Sequence, residues 1–222
     1  MRIVIAGAGR GGLGIAVHLQ GLKHLVTILD RDPVVTRRAF EEHGVVALTG
    51  DATDVALLTH AEVGRASAVL SMLHRDADNL AVAMLARNLG ARRVMVRMRD
   101  PEYRSVYVAA GVTQIISETE VLVGALASAV EHEAVQHSMV LGNGESIAFE
   151  IVVPAGAWVV GRTVSEVAAQ KAFPRSCVIA SMSLHGAVQP ARGGSTFAAG
   201  TQVLLVAARD DVAAALAFVM RA

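Results

Sequence analysis

The chain is short of cysteine, lysine, net charge and long apolar runs, and each shortage removes a class of protein. One cysteine, Cys177, leaves no partner for an internal disulfide and suits a reducing cytoplasm. Twenty basic residues balance twenty acidic ones, so nothing electrostatic draws the chain to nucleic acid or to an anionic membrane. Lys23 and Lys171 are the only lysines; the other basic residues are arginines. The longest charge-free segments, 176–191 and 193–208, fall short of the roughly 20 residues a bilayer demands and are broken by glycine or proline. No signal peptide is expected, because the opening apolar run, Ile3 to Ala6, gives way at once to glycines.

Signatures of catalysis are also missing. A Tyr-x-x-x-Lys pair for hydride transfer is absent, since Tyr103 is followed at that distance by Tyr107 and Tyr107 by Gly111. Nothing resembles G-x-S-x-G. His132-Glu133 with His137 has the wrong spacing for zinc: five helical residues separate the imidazoles by about 140°. That stretch reads as a solvated helix end. Cys177 lies in a β run, where a buried apolar role fits better than a nucleophilic one.

What is present begins at the N-terminus, with RIVIAGAGRGGLGIAVHLQG at 2–21. Arg2 to Ala6 is an almost wholly apolar strand, suited to a parallel sheet covered on both faces. Gly7, Gly9, Gly11 and Gly12 follow, with Arg10 among them, and Leu13, Ala16 and Val17 then recur at helical spacing. Gly7 permits the tight turn, Gly9 admits a pyrophosphate close to the backbone, and Gly12 lets helix and strand pack closely. The bare N–H groups at the helix start, with the positive end of its dipole, suit phosphate. A second strand, Leu25 to Leu29, ends at Asp30, where a carboxylate can accept ribose hydroxyls. Together these predict an adenosine-nucleotide site.

Strand and helix continue to alternate. Asp32-Pro33 starts a helix to His43, closed by Gly44. Val45 to Leu48 is a third strand, and Thr53 is expected to cap a short helix, 54–60. Ala66 to Ser71 is a fourth strand; a helix opens at Asp76 and closes at Gly90; Arg93 to Met98 is a fifth strand. Asp100-Pro101-Glu102 starts a helix ending at Gly111, before a sixth strand, Thr113 to Ile116. This is a doubly wound α/β domain with a parallel sheet. A helix from Ser117 to Glu133 follows, with Ser117 and Glu120 in capping-box spacing. Its body, Val121 to Val130, is apolar nearly all round, more than one domain face can bury, and reads as a connecting helix shared with a second subunit. Hydrophobic residues make up 53% of the chain, which also favours large subunit interfaces. After a hinge at Gly142-Asn143-Gly144 come short β runs (147–153, 177–184, 202–207), turns at Pro154-Ala-Gly156, His185-Gly186 and Arg192-Gly-Gly194, and helices at 164–171 and 210–221. The expected organisation is therefore a Rossmann nucleotide-binding domain over 1–117, a linking helix over 118–138 and a small α+β regulatory domain over 139–222.

Laid end to end, the chain resembles the RCK (KTN) family, the nucleotide-binding gating subunits of Trk- and Ktr-type potassium transporters and of some potassium channels. The likeness is carried by GAGRGG with Arg10, LDRD at 29–32, GDAT at 50–53 and RMRDPEYRSVYVAAGVTQII at 97–116. Pro154 with Gly156, VGRTV at 160–164 and Gly200 before the last strand carry it into the second domain. The resemblance implies a phosphate loop at Gly7, Gly9, Gly11 and Gly12, Arg10 near the phosphates, Asp30 at the ribose, Arg31 among the nucleotide-binding residues, and Asp51 and Ala52 at the adenine edge. It implies backbone of Leu73 and His74 lining the nucleotide and Arg97 facing a neighbouring phosphate. Many relatives carry Thr-Asn or Asn-Asp after the fourth strand; here it is Leu73-His74-Arg75. Glu118 and Glu120 both fall where some relatives place a metal-binding glutamate.

The resemblance implies a cytoplasmic regulatory subunit, not an enzyme, that binds ATP, ADP, NAD or NADH. Homodimers would assemble into a ring beneath a separate potassium transporter or channel and gate it. A small NAD-dependent oxidoreductase is the alternative. A second ligand in the C-terminal domain, such as a cyclic dinucleotide, stays open, as do the choice of nucleotide and the ring size.

Overall fold

Six strands form a wholly parallel sheet: β1 (Arg2–Ala6), β2 (Leu25–Asp30), β3 (Val46–Thr49), β4 (Ala68–Ser71), β5 (Val94–Met98) and β6 (Gln114–Ser117). Their spatial order is β3-β2-β1-β4-β5-β6, seen in a computed structural model that describes residues 1–141, 144–184 and 186–222. Helices α1 (Arg10–Gly21), α2 (Pro33–His43), α3 (Val55–His60), α4 (Asp76–Asn88) and α5 (Arg104–Ala109) connect them. The apolar run of β1 is explained by its central place. Ile3 and Ile5 enter one buried cluster while Val4 and Ala6 enter another, so successive side chains serve opposite layers.

The chain divides into two compact units, Met1–Thr119 and Glu120–Ala222. In the first, α2 forms as its sequence dictates. Asp32 accepts the Val34 N–H at 2.8 Å, Pro33 occupies the first turn, and Gly44 closes the helix in the left-handed region at φ +65°. Helix α3 differs from expectation, because its cap is Asp54, which accepts the Ala56 N–H at 2.8 Å. Thr53 instead donates both its N–H and its hydroxyl to Asp51. The DPEY block opens as a single 3-10 turn, Pro101–Tyr103, capped by Asp100, before α5 begins.

Helix α6 (Glu118–Glu131) begins at the end of the first unit, and the rest of the second unit is an α+β fold. Strands β7 (Val135–Leu141), β8 (Ser146–Val152), β9 (Val178–Leu184), β10 (Ala187–Pro190) and β11 (Gln202–Ala208) make an antiparallel sheet in the order β10-β9-β11-β8-β7. Helices α7 (Val164–Ala168) and α8 (Val212–Met220) complete it. Ile147, Phe149 and Ile151 of β8 and Val203, Leu205 and Ala207 of β11 alternate inward, against Val212, Ala215, Leu216 and Val219 of α8. Trp158 meets Phe218 edge-on at 5.0 Å.

Three departures from expectation fall in this unit. The helix stops at Glu131, and 135–141 is an edge strand paired with β8, so His137 lies on a strand, with Nδ1 3.1 Å from Glu150 Oε2. The β-branched and polar run after residue 134 finds its backbone partners in β8, which local helical pattern could not reveal. Strand β10 is exposed at all four residues, carries no inward-facing signal and ends at Pro190 on the sheet edge. Helix α7 stops at Ala168, three residues short of the expected end, with a full capping box between Thr163 and Glu166. Of the expected hinge and turn, Gly142, Asn143 and His185 lie outside the described residues.

Candidate functional site

The carboxyl ends of β1 and β4 are adjacent, and the chain leaves them in opposite directions across the sheet, which opens a crevice at this edge. The glycine turn occupies it. Gly7 has φ +105°, and a Cβ there would lie 3.0 Å from the Met72 carbonyl oxygen, so the turn runs hard against the segment leaving β4. A Cβ on Gly12 would lie 1.9 Å from the Gly7 oxygen, so no side chain fits where α1 folds back over β1. Gly9 caps α1 without a side-chain bond, and the first N–H returned to the helix is that of Leu13, 2.9 Å from the Gly9 oxygen. The N–H groups of Arg10, Gly11 and Gly12 precede it, aimed outward from the helix start, as an anion requires. The Arg10 side chain is exposed, with no hydrogen bond or ion pair to the described residues.

Asp30, at the end of β2, faces this turn. Its Oδ2 accepts the Ala8 N–H at 2.8 Å and its Oδ1 accepts the Asp32 N–H at 3.0 Å. The carboxylate thus pins the glycine turn and still has lone pairs to spare. From β3, Gly50 donates to the Asp30 carbonyl at 2.9 Å, which sets Asp51 and Ala52 beside it. Asp51 is held below the usual carboxylate range, first by the Thr53 N–H and hydroxyl and to a lesser degree by Arg31. Ala52 is buried; Arg31 is exposed.

The segment Met72-Leu73-His74 closes the crevice on the β4 side, and Asn79 fixes it. This buried carboxamide accepts from the Ser71 hydroxyl and the Leu73 N–H, both at 2.8 Å. It donates to the carbonyls of Leu73 at 3.0 Å and Arg97 at 3.1 Å. All four of its hydrogen-bonding positions are filled. The Leu73 carbonyl also receives Arg97 Nη2 at 2.7 Å. Arg97, expected to face a phosphate, is thus partly committed to the protein itself, and its Nη1 stands 3.6 Å from Glu118 Oε2. The His74 imidazole is exposed and without a hydrogen bond to the described residues.

All twelve expected residues therefore gather along one sheet edge. Three residues of the surrounding frame escaped sequence reasoning. Asn79 shares the buried stripe of α4 with Val82, Ala83 and Ala86; a lone amide at apolar spacing was the available signal. Asp76 accepts the N–H groups of Arg99 (3.2 Å) and Asp100 (3.0 Å) and the Tyr107 hydroxyl (2.8 Å), which ties the DPEY block to α4. Burial, with Asp76 next to it, pushes the Tyr107 hydroxyl well above its usual range, so it cannot serve as an acid near neutrality. Burial likewise pushes the Cys177 thiol up to about 12. Among the described residues no group of three or more His, Cys, Asp or Glu could hold a metal, and no helix is long and apolar enough to cross a membrane.

Family models match most of the chain: the TrkA-N domain over residues 3–118 and the TrkA-C domain over 148–220. A relative from Archaeoglobus fulgidus, named Trk system potassium uptake protein TrkA homolog, is 30% identical over 216 residues. That alignment takes in 96% of this chain but 48% of the relative, so the chain spans about half the relative's length. Among solved structures, the GsuK channel bound to NAD matches all of this chain and 40% of its own at TM-score 0.67 and 17% identity. The Kef C-terminal domain of Shewanella denitrificans in its AMP-bound form matches 59% of this chain and 82% of its own at TM-score 0.50 and 23% identity. The relative from Archaeoglobus fulgidus bears the name of a potassium uptake protein, and the NAD-bound structure that of a channel.

Proposed function

The chain belongs to the family defined by the TrkA-N domain, and on that premise we propose that it is a nucleotide-responsive regulatory subunit of a potassium transporter or channel. The observation that carries the reading is the pinned glycine turn: unpaired N–H groups at the start of α1, Arg10 free beside them, and the Asp30 carboxylate fixed across from them. An adenine nucleotide (ATP, ADP, NAD or NADH) would lay its phosphates on α1 and its ribose on Asp30, with Asp51 and Ala52 at the adenine edge. The NAD and AMP carried by the two structural neighbours support this class of ligand.

The apolar face of α6 supports dimerisation. Val121, Leu122, Val123, Leu126 and Val130 are each more than half exposed, a cluster a monomer would leave in water. Dimers assembled into a ring at the cytoplasmic face of a membrane partner would gate it through differential binding. A nucleotide that fits one ring arrangement better than another shifts the population toward it. Carrying a 1:99 equilibrium to 99:1 takes about 5.5 kcal/mol of differential affinity, which several linked sites can share.

Calorimetry of the purified chain against ATP, ADP, NAD, NADH and NADP tests this reading. Stoichiometric binding of at least one adenine nucleotide is expected, with no consumption of nucleotide and no hydride transfer to small carbonyls. Substrate-dependent turnover that survives repurification would replace the regulatory reading with an oxidoreductase.

A further inference from the structure

Two arginines at the end of β5 each bridge the same two parts of the chain. Arg97 donates through Nη2 to the Leu73 carbonyl at 2.7 Å, and its Nη1 lies 3.6 Å from Glu118 Oε2. Arg99 donates through Nη1 to the His74 carbonyl at 3.4 Å, and its Nε also lies 3.6 Å from Glu118 Oε2. On one side of both guanidiniums is the backbone that lines the crevice; on the other is the first residue of α6. The Thr119 hydroxyl adds a bond to the Arg99 carbonyl at 3.1 Å. One carboxylate thus holds two cations at a distance longer than a hydrogen bond, and among the described residues the Nε of Arg97 is buried without a hydrogen-bond partner.

We infer that Glu118 and the phosphates of a bound nucleotide compete for Arg97 and Arg99, so that filling the crevice loosens the first turn of α6. The inference rests on the nucleotide reading above and adds a route from site to helix. Arginine forks suit phosphate oxygens at least as well as a carboxylate, and Arg97 already has one nitrogen at the crevice wall. A phosphate arriving there draws the guanidinium by charge, and the long contact to Glu118 is the weakest one to give up. By linkage, removing Glu118 strengthens nucleotide binding as much as the nucleotide weakens the Glu118 contact.

The test uses the full chain as wild type, Glu118→Gln, Arg97→Gln with Arg99→Gln, and all three substitutions together. ATP and NAD are titrated into each by calorimetry. Glu118 is half exposed, so its replacement leaves the fold intact. Glu118→Gln is expected to tighten ATP by about three- to fivefold, the size of a partly exposed ion pair released. In the background lacking both arginines the same substitution gains nothing. Hydrogen exchange of amides 121–124, the first to bond back into α6, supplies the second readout: in the wild type it quickens when ATP is added, and in Glu118→Gln it is already fast and does not respond. Affinity unchanged or weakened by Glu118→Gln overturns the competition, as does a gain that persists without the arginines or slower exchange on adding ATP. An equal gain from Glu102→Gln, an exposed carboxylate of the same block, would reveal a general charge effect and also overturn it. Failure of the wild type to bind any nucleotide overturns the nucleotide reading itself, whereas binding indifferent to Glu118 overturns only this inference.

Discussion

Asp30 and Ala8 are joined by a hydrogen bond of 2.8 Å, from the Ala8 N–H to Oδ2, that ties the end of the second strand to the glycine turn after the first. One carboxylate therefore pins the glycine turn, and in the proposed site it would also accept the ribose hydroxyls. Asp30→Ala is expected to weaken ATP, ADP and NAD together, by about 1.5–3 kcal/mol, or ten- to a hundredfold in Kd. The wild type is expected to reject NADP, since a 2′-phosphate would meet the carboxylate. Calorimetry on both proteins decides it; a wild type that prefers NADP contradicts the site.

Arg10 fails differently. Its side chain makes no hydrogen bond or ion pair to the described residues at the start of α1, and in the proposed site it would meet phosphate, not ribose. Arg10→Gln is expected to cost ATP more than NAD, because ATP concentrates more charge at its terminal phosphates. Equal losses for both ligands would move Arg10 away from the phosphates.

The exposed face of α6 predicts self-association. Leu122 and Leu126 are each 57% exposed, and burying such a side chain is worth roughly 1.5–3 kcal/mol. Light scattering of the wild type at micromolar concentration should give a dimer or larger, and Leu122→Asp with Leu126→Asp should give monomer or aggregate. A monomeric wild type removes the interface.

Tyr107 and Asp76 predict a stability effect away from any ligand contact. The hydroxyl donates to the buried carboxylate at 2.8 Å, so Tyr107→Phe should cost about 1.5–3 kcal/mol in denaturant unfolding. Alkali should act on the same pair and on Cys177. Both groups have folded-state values raised above their unfolded ones, so each contributes stability below its unfolded value and loses it as pH climbs toward its folded value. For Cys177 that window runs from 9.0 to about 12. Midpoints of urea unfolding should fall across this range, and Cys177→Ala should flatten part of the fall. A midpoint independent of pH there would mean the thiol is not buried as described.

Sequence alone determined the parallel sheet, because its information is local. An almost wholly apolar β1, a Gly-rich turn, Asp32-Pro33 at a helix start and Gly44 at its end each act within a few residues, and the structure places them as read. The glycine turn and Asp30 were proposed for the same reason, since each follows a strand end that hydrophobic pattern marks, whereas Arg10, Arg31, Asp51, Ala52, Leu73, His74 and Arg97 came from the family resemblance. Tertiary structure decided the rest. Strand β7 takes its identity from pairing with β8, and β10 lies on an edge where no buried face leaves a pattern. Asn79, Asp76 and Tyr107 act on groups between 6 and 31 residues away, and nothing in their neighbourhoods announces those partners. Arg97 shows the division most clearly. Its position at the end of β5 follows from the sequence, but its division between the Leu73 carbonyl and Glu118 depends on where strand β4 and helix α6 come to rest, and only folding brings those together.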